Sequence, residues 1–165
     1  MKKIKLLLGV FVLVVFLSGC GSDNSSGSEA TSKSLDINLV KSNVKALKID
    51  DDTPFADDAN INDSDSIETY GLDVDLLDEY VIYLPSAVVN ASMYIVAKPK
   101  EGEESVVKYQ IKELFDKYYN AYNGYYPKEA KLIEGRMEKE LSGYYIYIVS
   151  NDNEKVYNAI KESLK

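Results

Sequence analysis

The sequence predicts an α+β domain: a four-stranded antiparallel sheet made from two ββα units, with helices packed on it and an amphipathic helix at its N-terminal side. Three observations predict it. Strand-like stretches occur in two pairs, 81–84 with 88–98 and 136–140 with 144–150, and 88–98 is rich in Val, Ile and Tyr. Each pair is followed by a stretch whose apolar residues recur three and four apart, the helical period. Turn residues divide the members of each pair, and strands joined in hairpins run antiparallel.

Taken in order, Ser34 is a helix cap, and Ile37, Val40, Val44 and Leu47 place one amphipathic helix over 35–48. Ser64 to Glu68 predicts a short helix closed by Gly71, and Asp73 starts another turn through Leu77. Val81 to Leu84 is a strand ended by Pro85, and Val88 to Lys98 a second ended by Pro99. Val107, Ile111, Leu114, Phe115 and Tyr118 give a long helix, about 103–122, with Gly124 suited to a left-handed cap. Pro127 fits the first turn of a helix through about Glu134. Ser142-Gly143 turns the second hairpin. Asn151 with Glu154 three residues on resembles a capping box for a last helix carrying Val156, Ala159, Ile160 and Leu164. The stretch 35–165 is long enough for one proper core.

The first twenty residues read as an address. Lys2, Lys3 and Lys5 precede an apolar run from Leu6 to Leu17. That run is too short to span a bilayer and suits a signal peptide, here 1–19. Leu17-Ser18-Gly19-Cys20 resembles the lipobox of bacterial lipoproteins, and the chain's single Cys stands at the one position the motif requires. The resemblance implies a lipid on Cys20 as the mature N-terminus, and so a cell-membrane anchor on the extracytoplasmic face. Residues 20–34 are rich in Ser and Gly, the composition of a flexible tether.

Composition removes several kinds of chemistry. The 165 residues include one Cys, no His and no Trp, and the formal charge is -8. One Cys excludes an internal disulfide and a cysteine zinc site. Without His there is no Ser-His-Asp or Cys-His constellation. Net negative charge argues against nucleic acid as a partner. No cofactor is expected. Residues 50–79 carry twelve acidic side chains and no basic one. Within the acidic loop 50–69, calcium-loop frames starting at Asp57 and Asp58 both fail: the first puts Ala59 and Ile61 at ligand positions, the second Thr69 at the closing one. The expected role of these acids is to cap turns and helix starts, with weak calcium binding as an alternative.

From Tyr70 onward the chain resembles the bacterial lipoprotein family catalogued as domain of unknown function 4358, common in Firmicutes. The resemblance rests on Tyr70-Gly71-Leu72-Asp73, Glu79 to Pro85, Tyr94 to Lys98, Lys100-Glu101-Gly102, Asn123 to Pro127 and Gly143-Tyr144-Tyr145. This chain has Met93-Tyr94 where relatives often carry a Glu. The resemblance implies location and fold, and no chemistry.

Fourteen tyrosines are the unusual feature. Strand alternation puts Tyr144, Ile146 and Ile148 on one face and Tyr145, Tyr147 and Val149 on the other. It likewise divides Ile82 and Leu84 from Val81 and Tyr83. The long helices cover one face. The other is either covered by the 35–48 helix or left open as a platform, with Tyr83, Tyr145 and Tyr147 as candidate ligand-binding residues. Glu134, Glu138 and Glu140 are the carboxylates an enzyme would need, and an edge strand protected by charge explains them as well. The acidic neighbours of Arg136, the chain's single Arg, point to internal pairing. The expected function is therefore a membrane-anchored, non-enzymatic binding or interaction module at the cell envelope, with a cell-wall or membrane-protein partner. The alternative is a carboxylate-dependent envelope hydrolase.

Overall fold

Alternating apolar side chains at 81–84, 93–97 and 144–149 supply two apolar faces, and the fold is built around that fact. The computed structural model describes residues 34–85 and 90–165. The signal segment 1–19, the lipobox with Cys20, the tether up to residue 33 and Val88-Val89 lie outside the described residues.

The four strands are β1 (Leu77–Tyr83), β2 (Met93–Pro99), β3 (Met137–Leu141) and β4 (Tyr144–Val149). They form one sheet in the order β1-β2-β4-β3, antiparallel throughout. Among the described residues five α-helices accompany it: α1 (Ile37–Lys45), α2 (Ser64–Tyr70), α3 (Glu104–Asn123), α4 (Pro127–Glu134) and α5 (Asn153–Lys161). The architecture is the α+β arrangement of two ββα units, β1-β2-α3 and β3-β4-α5, that the sequence predicts.

Both faces of the sheet are covered. On one, Ile82, Met93, Ile95, Ala97, Tyr145 and Val149 pack with the buried stripe of α3 and with α2 and α4. On the other, Val81, Tyr83, Tyr94, Val96, Tyr144, Ile146 and Ile148 pack with Phe55 and with α1 and α5 through Val40, Val44, Val156 and Ile160. The sheet is thus the middle of three layers.

The edges are managed differently. Strand β3 is the charged edge, with Glu138, Lys139 and Glu140 exposed. Along β1 the acidic segment lays down one further stretch of backbone. Asn62 N–H donates to Ile82 O at 2.7 Å, Asn62 Oδ1 accepts from Ile82 N–H at 2.8 Å, and Leu84 N–H donates to Asn60 O at 3.2 Å. Sequence reading missed this cover because 60–62 has no strand-like run.

Local differences from the sequence reading have simple causes. Helix α1 starts at Ile37, because Asp36 caps it and Leu35 is already bridged to Leu164 near the C-terminus. Strand β1 starts four residues early, at Leu77; Asp78 and Glu79 are exposed, and the register shifts between Leu77 and Glu79. The left-handed cap expected at Gly124 is absent, since φ there is -77°, whereas Gly71 after α2 has φ 87°. Asp152, not Asn151, caps α5 by accepting from Lys155 N–H at 3.0 Å. The second hairpin turns as expected, with Ser142 (φ 53°) and Gly143 (φ 80°) both left-handed, the primed geometry that matches strand twist.

Candidate functional site

Strand direction gives the domain two poles. At one, Leu77 meets Pro99 and Tyr144 meets Leu141. Ser34 sits there too: its carbonyl accepts from Lys165 N–H at 3.0 Å, and Asp36 pairs with the Lys165 ammonium at 2.7 Å. That contact holds the Asp36 carboxyl below its usual range. At the other pole Tyr83 meets Tyr94, and Met93 meets Val149. Helix α3, about 30 Å long for its 20 residues, runs from the first pole to the second, where the Tyr122 hydroxyl donates to Asn90 O at 2.8 Å. The entry of the described chain and the pocket discussed next are therefore at opposite ends.

The pocket at the second pole has a volume of about 400 Å³. Four segments line it: the turn Ile49–Asp52 with Pro54, the approach to β2 at Asn90 and Ser92, helix α4 through Glu129 and Leu132, and Asn151 just after β4. The turn is tight. Asp50 and Asp51 take left-handed φ values of 51° and 65°, and Ile49 and Asp52 exchange backbone hydrogen bonds of 2.8 and 2.9 Å. Glu129 is positioned by its Oε2, which accepts from Ala91 N–H at 2.8 Å. Asn90 Oδ1 holds Ser92 N–H at 2.7 Å. Ser92 is 7% exposed.

A larger hollow, about 480 Å³, lies beside α2 and is lined by Asn62, Glu68, Asp73, Asp75 and Tyr80 among others. Several acids of the surrounding acidic segment cap turns, as the sequence suggested. Asp73 accepts from Asp75 N–H at 2.9 Å, and Asp57 from Ala59 N–H at 3.0 Å. Asp58 is paired with Lys45 and Lys41, and the Lys45 contact lowers its pKa. Among the described residues no group of three or more His, Cys, Asp and Glu side chains is placed to hold a metal ion.

The three tyrosines do not make a platform. Tyr83 lies on the α1/α5 face, 4% exposed, with its ring edge-on to Phe55 at 5.3 Å. Its hydroxyl donates to Pro54 O at 3.0 Å and accepts from Asn60 Nδ2 at 3.2 Å. Tyr145 and Tyr147 lie on the opposite face under α3, with Lys108 over the Tyr145 ring at 4.2 Å and Phe115 beside Tyr147 at 5.7 Å. Of the two options for the second face, the structure gives the covered one: α1 and α5 lie on it, and α2, α3 and α4 on the other. Of the expected carboxylates, Glu138 pairs with Arg136 at 2.8 Å, and Glu140 lies 3.8 Å from Lys108. Arg136 also sits over the Phe115 ring at 4.9 Å, the internal pairing its neighbours implied. Cys20 lies outside the described residues, and among those described no helix is long and apolar enough to cross a membrane.

The comparisons with known proteins add a family. The family model described as Domain of unknown function (DUF4358) matches residues 52–150, more than half of the chain. No curated protein and no solved structure matches.

Proposed function

The chain belongs to the DUF4358 family, and from that premise we propose that it is a non-enzymatic binding module, held by a lipid on Cys20 at the extracytoplasmic face of the cell membrane. The observation that carries the reading is the polarity of the domain. The chain preceding Ser34 leaves from the pole where Ser34 meets Lys165, and the polar pocket opens at the other end of α3. The tether joins the domain at the first pole, remote from that pocket. The lipobox Leu17-Ser18-Gly19-Cys20 and the Ser/Gly-rich stretch after it support the anchor.

Two measurements test this. Metabolic labelling with an alkynyl fatty acid should mark the full chain and not Cys20→Ser. A photo-reactive residue at Asp51, beside the pocket, should capture an envelope component in intact cells, and one at Lys100, on the tether pole, should not. Label on the Cys20→Ser chain, or equal capture from both poles, would overturn the reading.

A further inference from the structure

Strand β1 is covered along only part of its outer edge. Ile82 uses its N–H and C=O on Asn62, and Leu84 N–H donates to Asn60 O. Beyond Asn62 the covering backbone turns away into α2 at Ser64. Groups two residues apart on a strand face the same way, so Tyr80 N–H and C=O point outward like those of Ile82. Among the described residues neither makes a hydrogen bond. Tyr80 stands midway along β1, between the two poles. A bare stretch of strand edge is a template for another strand.

A hollow flanks this edge on each face of the sheet, and Tyr80 lines both. The hollow beside α2, about 480 Å³, has Ile67 and Leu72 in its wall, and these belong to the layer that contains α3. The other, about 450 Å³, is lined by Leu35 and Ile37, which belong to the layer of α1 and α5. Successive side chains of a strand point to opposite faces, so one extended segment on the edge would fill both hollows. In strand addition of this kind the main chain supplies attachment, and pockets for alternate side chains supply selectivity.

Charge decides the occupant. Glu68, Asp73 and Asp75 line the first hollow, and Asp78 lines the second. None of these four is in an ion pair among the described residues. Lys117 and Lys100 stand near, but their ammonium groups donate to Tyr70 O at 3.0 Å and Asp75 O at 2.6 Å. A second copy on the same edge would set these acids against themselves. The tether is a poor match, since 20–34 carries Asp23 and Glu29 against Lys33 alone. Going beyond the far-pole reading above and independently of it, we propose that the β1 edge at Tyr80 takes an extended, basic peptide segment of a partner protein as a fifth strand, with lysine or arginine side chains entering the flanking hollows.

The test is amide hydrogen exchange, followed by NMR, on the full chain in detergent micelles. The probe is an acetylated and amidated pentapeptide alternating lysine and valine. Its controls are the same peptide with glutamate for lysine, and the lysine peptide N-methylated along its backbone. In the chain alone the Ile82 amide should exchange slowly and the Tyr80 amide fast. The lysine peptide should slow Tyr80 about tenfold, and neither control should. Glu68→Gln combined with Asp75→Asn removes two exposed charges whose side chains hold no other part of the fold, and it should weaken the lysine peptide about fivefold. A Tyr80 amide already slow without peptide would overturn the proposal: slowness that fades on dilution would mean a second copy on the edge, and slowness that persists would mean the chain's own preceding residues. No slowing by the lysine peptide would overturn it. Equal slowing by the glutamate peptide, or binding unchanged in the double variant, would overturn the basic occupant. Equal slowing by the N-methylated peptide would overturn strand pairing.

Discussion

Tyr83 shows how one side chain ties the acidic segment to the sheet. Its ring packs between Phe55 and Tyr94, and its hydroxyl bridges Pro54 O and Asn60 Nδ2. Tyr83→Phe keeps the ring and strands those partners, so it should cost about 1 kcal/mol in urea denaturation. Burial raises the pKa of several tyrosines, among them Tyr83, Tyr94, Tyr118, Tyr122 and Tyr144, and pushes Tyr147 up to about 12. A tyrosine whose folded pKa lies above its unfolded value of about 10 favours folding while both states keep the proton. Its contribution is complete below about pH 10 and is lost as pH rises from there through the folded value. Stability should therefore fall steeply above pH 10, and tyrosinate absorbance from the buried rings should appear together with loss of the far-ultraviolet circular dichroism. Tyrosinate absorbance developing fully while that signal stays intact would contradict the burial of these rings.

At the scale of elements, the second hairpin was fully legible, because Ser142-Gly143 between alternating apolar runs admits few other readings. Gly143→Ala puts a Cβ at φ 80° and should destabilise by about 1 kcal/mol. Ser142→Asn, with a residue that tolerates left-handed backbone, should gain a few tenths; both are read from urea midpoints. Helix α4 was equally legible from Pro127 at its first position. What stayed hidden was relative facing. Alternation within β1 separates Tyr83 from Ile82, and within β4 it separates Tyr145 from Ile146. Neither says which half of β1 shares a face with which half of β4. That depends on the register carried across β2, where Tyr83 pairs with Tyr94 and Tyr94 with Ile148. A platform of Tyr83, Tyr145 and Tyr147 therefore looked possible in sequence and is split in space. The far-pole pocket was hidden for a related reason. Its walls come from four segments spread over a hundred residues, and each reads alone as an ordinary turn or helix.

At the scale of the whole molecule, the family match and the core do not coincide. The match ends at residue 150 and begins at 52, so α1 and α5 fall outside it. Yet these two helices cover the sheet face that carries Val81, Tyr83, Tyr94, Val96, Tyr144, Ile146 and Ile148. They also hold each other, through Asn43 Nδ2 to Ala159 O at 3.3 Å and to Ser163 Oγ at 3.1 Å, and through the Leu35–Leu164 bridge. A sheet with one such face stripped presents a wide apolar surface to water, and soluble monomers rarely do so. The fragment 52–150 should therefore associate and bind a hydrophobic dye, whereas 34–165 should elute as a discrete species without dye binding. Point changes in the same layer scale the argument down. Ile160→Ala and Val40→Ala remove fully buried side chains, and each should cost about 2–4 kcal/mol in chemical denaturation. A fragment 52–150 that stays monomeric, with dispersed amide resonances and no dye binding, would show that the segment matched by the family closes its own core, and α1 and α5 would then need another reason to be there.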